Sequence, residues 1–197
     1  MFLSRHFLPR QRGAMFGLDA RIALAIMAIL SIVAGMTVVL SITDIRGKAL
    51  SKELVLYKTA FESMQYDLKT GIYDAVNSGA DMDTRSFAAL YDRSEIKTAY
   101  QPKWLGPYVK RESTIHPEYG QMYLLLATQT DPTDTVCGSS CYYWIRIDGV
   151  SQAVFNHTND AIDGTAEASP ESEGKVMWAY DNVNDINILY YRFSRSL

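Results

Sequence analysis

The 197 residues carry 22 acidic and 19 basic side chains, and a net charge of −3 gives the chain as a whole no pull toward a polyanion. At 48% apolar and 21% charged it is not a disordered polymer, and its length fits one globular domain plus an appendage. Thirteen Tyr, seven Phe and three Trp point to a half-hydrated sheet, where a Tyr ring packs while its hydroxyl stays wet; a face that stacks sugars or bases is the alternative.

The first element begins in "RGAMFGLDARIALAIMAIL", residues 12–30, where Asp19 and Arg21 stand at the door of an apolar run. From Ile22 to Thr43 no residue is charged, which matches the roughly 20 residues a helix needs to cross the hydrocarbon core. A cleaved secretory signal has an apolar core of only about 7–15 residues, so the run is read as a single membrane helix that the mature protein keeps. Arg5, Arg10, Arg12 and Arg21 precede it, and Arg46, Lys48, Lys52 and Lys58 follow, so the basic flanks do not set its direction.

Beyond the span, Leu50, Leu54, Tyr57, Phe61, Met64 and Leu68 fall at spacings of 4 and 3, and Ile72 and Val76 prolong the stripe by fours. That is the rhythm of an amphipathic helix with one buried seam. No proline lies between Pro9 and Pro102, so one helix is expected from about Phe16 to Val76, with Gly35 and Gly47 as places where it bends. "NSGAD" at 77–81 supplies the stop, with Asn77 or Gly79 in a left-handed cap. A two-helix coiled coil explains the stripe too, but the aromatic-rich segment that follows needs a surface to pack on.

In the remainder, "DTRSFAALYDRSEI" (83–96) permits a short helix started by Asp83 or Thr84. Five runs then read as strands, at 121–129, 141–148, 151–158, 175–181 and 187–194, with Asp148-Gly149 as a hairpin turn between the second and third. The expected fold is α+β, a long N-terminal helix lying on an antiparallel sheet of about four to five strands.

Cys137 and Cys141, in "VCGSSCYYW", do not have the C-x-x-C spacing of redox or zinc sites. Gly138-Ser139-Ser140 allows a tight loop, and the pair is read as a disulfide; two free core cysteines are the alternative. A disulfide requires an oxidising compartment, which puts the C-terminal part outside the cytoplasm and the basic tail inside. His6, His116 and His157 form no catalytic motif, so no enzymatic activity is expected. Asp160, Asp163, Glu167, Glu171 and Glu173 fill a Gly-containing loop whose oxygens suit calcium, although a simply solvated acidic loop is the favoured reading. No other cofactor is indicated, and Arg192 and Arg195 are too sparse for a nucleic-acid groove.

The stretch from "RGA" through "MFGLDARIALAIMAILS" resembles the amino terminus of type IV pilins and of the pseudopilins of type II secretion. In that family a short basic leader, a small residue at the cut and an acid at the fifth mature position precede a long apolar helix. The resemblance covers about residues 8–43 and implies a pilin-like fold. It makes Gly13, Ala14 and Met15 the processing site, with the cut after Ala14, or after Gly13 with the acid then at position six. Asp19 stands where the family usually has Glu, and Gly17 where it usually has Thr. The implied organisation is a leader (1–14), a transmembrane and assembly helix (15–43), its amphipathic continuation (44–79) and an extracytoplasmic globular domain (80–197). The implied function is a structural subunit of a pilus or pseudopilus, trimmed by a prepilin peptidase in the bacterial inner membrane. It would assemble with copies of itself and related subunits on an inner-membrane platform, with the Met15 amine and Asp19 as the registering pair. Because some pseudopilins bind calcium in this part of the fold, the resemblance adds weight to Asp160, Asp163, Glu171 and Glu173 as candidate calcium ligands, with the solvated loop still the favoured reading. A single-pass membrane protein with an extracytoplasmic sensor or ligand-binding domain is the rival reading.

Overall fold

The computed structural model describes residues 16–136, 141–165, 169 and 171–196. The chain divides into two units, Met1–Ile42 and Thr43–Leu197.

Helix α1 spans Phe16–Leu68. Within the first unit it is long and apolar enough to cross a membrane, and among the described residues none of its most apolar stretch is buried. The few hydroxyls there are satisfied by the helix itself: Ser31 Oγ donates to the Met27 carbonyl at 2.8 Å, and Ser41 Oγ to that of Thr37 at 2.9 Å. A hydroxyl so engaged can face hydrocarbon without an orphaned donor.

In the second unit the expected seam of α1 is buried from Leu50 to Leu68. The helix, however, stops at Leu68 and not near Val76. Lys69 takes the left-handed conformation at φ 55° and donates its N–H to the Gln65 carbonyl at 2.9 Å. Beyond it a four-residue helix α2 (Ile72–Ala75) begins with the Ile72 N–H donated to the Tyr143 hydroxyl at 2.9 Å. Val76 then bridges Ile96, the Asn77 N–H binds the Glu95 carbonyl, and the Ala75 carbonyl accepts from Lys97. Backbone groups committed to residues 95–97 cannot also continue a helix, so the expected cap at Asn77 or Gly79 is replaced by one at Lys69. Ile72 and Val76 are buried all the same. Helix α3 (Met82–Ala88) follows, then two 3-10 turns at Arg93–Glu95 and Gln101–Lys103.

Four strands, β1 (Met122–Ala127), β2 (Tyr142–Asp148), β3 (Val176–Asp181) and β4 (Ile186–Arg195), form an antiparallel sheet in the order β1-β2-β4-β3. The fold is thus α+β, a long N-terminal helix on a four-stranded antiparallel sheet. The inner face, with Leu124, Tyr143, Ile145, Ile147, Leu189 and Tyr191, joins the helical seam in one core. Phe61 lies at its centre, its ring 5.5 Å from Phe87 and 5.6 Å from Phe193. The outer face is not bare. Trp144, Met177, Ile188 and Tyr190 are buried there, the Trp144 Nε1 donates to the Thr128 carbonyl at 2.9 Å, and the Arg192 guanidinium lies 5.4 Å from the Trp144 ring. The sheet is nonetheless half-wet, as the Tyr count suggests: Tyr143, Tyr190 and Tyr191 are buried, Tyr123 and Tyr142 are half-buried, and Tyr180 is exposed.

The run 151–158 is not a strand. It belongs to helix α4 (Gln152–Ile162), and Asp148-Gly149 leads into that helix and not into a hairpin. Ser151 caps it, its Oγ accepting from the Val154 N–H, and the buried Val154, Phe155, Thr158 and Asn159 share one helical face. α4 lies against α1 at Gly47. A Cβ there would run into His157, 3.1 Å from its carbonyl carbon and from the Thr158 nitrogen, while Thr158 Oγ1 donates to the Gly47 carbonyl at 3.2 Å. Gly47 lets two helices touch, where the sequence suggested a bend.

Both edges of the sheet are partly occupied by the chain itself. On β1 the Met122 N–H donates to the Thr114 carbonyl at 2.7 Å and the Leu124 carbonyl accepts from the Tyr73 hydroxyl at 2.5 Å. On β3 the Trp178 N–H donates to the Glu171 carbonyl at 3.1 Å.

Candidate functional site

Within the second unit, a groove of about 810 Å³ runs between α1 and the segment Tyr108–Arg111. The α1 wall presents Ala49, Lys52, Glu53, Leu56, Tyr57, Ala60 and Ser63. The opposite wall is held in place from both ends. Trp104 Nε1 donates to the Ala89 carbonyl at 2.9 Å, the Tyr108 N–H to the Leu90 carbonyl at 2.8 Å, and the Tyr108 hydroxyl to Asp67 Oδ2 on α1, also at 2.8 Å. The tight turn before it needs Gly106, because a Cβ there would meet the Trp104 ring at 2.6 Å. Burial, together with the bond to Asp67, pushes the Tyr108 phenol up to about 12.

Glu53 forms the hub at one end of the groove. Its Oε1 accepts from the Tyr57 hydroxyl at 2.8 Å and from Arg111 Nη1 at 2.9 Å, and its Oε2 lies 3.0 Å from His116 Nε2. His116 is only 5% exposed and stacks on Tyr119 at 4.6 Å between ring centres. Its Nδ1 accepts the Glu118 N–H at 3.1 Å, which assigns the proton to Nε2 and makes that nitrogen the donor to Glu53. Burial alone would raise the Glu53 pKa, but the hydrogen bonds from His116 and Tyr57 and the charge of Arg111 outweigh it and hold the carboxyl at about 2. A carboxylate kept ionised with both oxygens occupied is an anchor for the 109–119 segment, and is ill suited to exchanging protons with a substrate.

The residues singled out from sequence fall elsewhere. Gly13, Ala14 and Met15 lie outside the described residues, and so does Cys137, and with it the expected pairing with Cys141. Asp19 sits in the first turn of α1 and is exposed. Of the acids at 160–173, Glu167 lies outside the described residues. Asp160 is exposed on α4, while Asp163 ends that helix and accepts the Lys175 and Val176 N–H groups at 2.7 and 2.8 Å, fixing the start of β3. Glu171 Oε1 accepts from Gln152 Nε2 at 2.7 Å, and Glu173 is exposed. Among the described residues no three His, Cys, Asp or Glu side chains come together as a metal-binding group. His116 is the buried partner of Glu53, and His157 lies on α4 with its Nδ1 3.6 Å from Asp44 Oδ1. The sequence carries one half-signal for the hub, Glu53 and Tyr57 four apart on a helix.

No family model, no curated protein and no solved structure matches the chain.

Proposed function

We propose that the chain is a structural subunit of a type IV pilus or type II secretion pseudopilus, made as a precursor and assembled through its N-terminal helix. The observation that carries this reading is a lone carboxylate, Asp19, in the first turn of a helix whose next twenty or so residues are apolar, joined in sequence to a helix-on-sheet α+β domain. An acid at that depth is costly without a cation, and Arg21 is the only one close by in the described sequence. Removal of residues 1–14 creates an ammonium at Met15, four residues from Asp19, and a neighbouring subunit can present that amine to the carboxylate. The charge then becomes a device for register between subunits. The precursor inserts with its basic tail inside and residues 43–197 outside the cytoplasm, where a Cys137–Cys141 bridge is stable.

Mass spectrometry of the mature protein tests this directly. A chain beginning at Met15, N-methylated, is expected; an intact Met1 overturns the reading in favour of a single-pass sensor or ligand-binding protein. Asp19→Ala is expected to leave the protein in the membrane and folded while abolishing fibres seen by electron microscopy.

A further inference from the structure

We propose that the groove between α1 and Tyr108–Arg111 is a binding slot for an anionic phospholipid of the membrane that residues 22–42 enter. The inference rests on those residues being a membrane span, and it does not need the chain to be a pilin. The groove's charge runs against that of the whole molecule. Lys52, Lys110 and Arg111 face it with Glu53 as the only carboxylate, a local balance of three against one, on a chain whose net charge is −3. Neighbouring lysines on α1 are spent on internal partners, Lys48 on Asp44 at 2.9 Å and Lys58 on Glu62 at 3.9 Å. Lys52 and Lys110 are exposed and, among the described residues, form no ion pair. Between the two cations runs an apolar floor of Leu56, Tyr57, Ala60 and Val109, with Leu56 68% exposed.

An apolar floor with a cationic rim matches an acyl chain ending in a phosphate. A soluble phosphorylated metabolite would use the rim and leave the floor wet. A purely apolar peptide would use the floor and leave the lysines unpaired. Reach also favours lipid: Ala49 is only seven positions beyond Ile42, so it is at most about 25 Å of chain from the end of the span. Arg111 is pinned by Glu53 and Tyr57, so the wall that carries Lys110 is set in place before any ligand arrives.

The test uses the full chain, extracted from vesicles of phosphatidylcholine mixed with phosphatidylglycerol, with bound lipid read by native mass spectrometry. Retention of phosphatidylglycerol over phosphatidylcholine is expected, falling about thirtyfold in Lys52→Glu/Lys110→Glu. The charge-matched control Lys69→Glu/Lys175→Glu, at exposed positions outside the groove, should retain lipid as the unmodified chain does. Leu56→Gln should weaken retention with no change in charge. A photoreactive acyl chain on phosphatidylglycerol should cross-link within residues 49–63 and 108–111. Equal retention of the two lipids, an equal loss in the control, or cross-links elsewhere would overturn the proposal. It would also fall if the groove variants changed self-association and left lipid retention intact, which would make the groove a protein contact. An intact Met1 would end the pilin reading and leave this one standing; recovery of the chain in the soluble fraction would end this one.

Discussion

The two halves of α1 share a backbone and differ in what they demand of their surroundings. Leu24 is 68% exposed while Leu54, thirty positions on, is fully buried. In residues 22–42 the sequence is apolar all round the helix, and among the described residues none of its most apolar stretch is buried. From Leu50 to Leu68 the apolar side chains form one stripe, and the sheet with α3 supplies the matching surface. The first pattern requires a solvent of lipid or of other helices, and the second carries its own core. Helix propensity does not distinguish the halves; the distribution of polar residues around the axis does.

The sharpest way to break that contrast is to truncate one large side chain in each half. Phe61→Ala removes a ring packed between Phe87 and Phe193 and is expected to cost about 3–5 kcal/mol in chemical unfolding of the detergent-solubilised protein. Leu30→Ala, at a site the protein leaves uncovered, should move the same transition by less than about 0.5 kcal/mol. Equal effects would mean that the first half is packed after all. A second substitution sits just beyond the boundary between the two. Gly47→Ala improves helix propensity by about 1 kcal/mol, yet its methyl collides with α4, so a net loss of about 1–3 kcal/mol is expected. A stabilised variant would show that the α1–α4 contact yields.

A further effect concerns the Glu53 anchor. Its carboxyl is held at about 2 in the folded chain against an ordinary 4.5, so folding contributes stability that is complete above pH 4.5 and drains away as pH falls toward 2. After allowing for the solvent that reaches this part-exposed cluster, the loss is about 1–2 kcal/mol. Thermal unfolding across that window should lose its acid slope in Glu53→Gln, and an unchanged slope would assign acid sensitivity to other carboxylates.

What the sequence discloses is what is local. The 4-3-4 spacing of Leu50 through Leu68 gave the helical seam, and short apolar and aromatic runs gave four strands within about two residues of their observed ends. Misreadings arose where a distant partner decides. The helix ends at Leu68 because residues 95–97 and the Tyr143 hydroxyl claim the next backbone groups. The run 151–158 looks β-like over eight residues, and only its continuation to Ile162, with the Ser151 cap, reveals the helical period. The groove is least legible of all, since His116 and Glu53 are 63 positions apart and their meeting depends on the whole course of the chain between Trp104 and Tyr119.

The occupied sheet edges have a consequence for how copies of this chain can associate. A second copy joining by strand addition would first have to displace the Tyr73 hydroxyl and the Thr114 carbonyl from β1, or the Glu171 carbonyl from β3. Each of these partners belongs to the same molecule and is already in place, so an incoming strand competes against a bond that needs no encounter. Edge-to-edge polymerisation of the kind that leads to cross-β aggregates is thereby handicapped at both ends of the sheet. An association through the exposed surface of α1 would instead leave the backbone ladder of the sheet undisturbed.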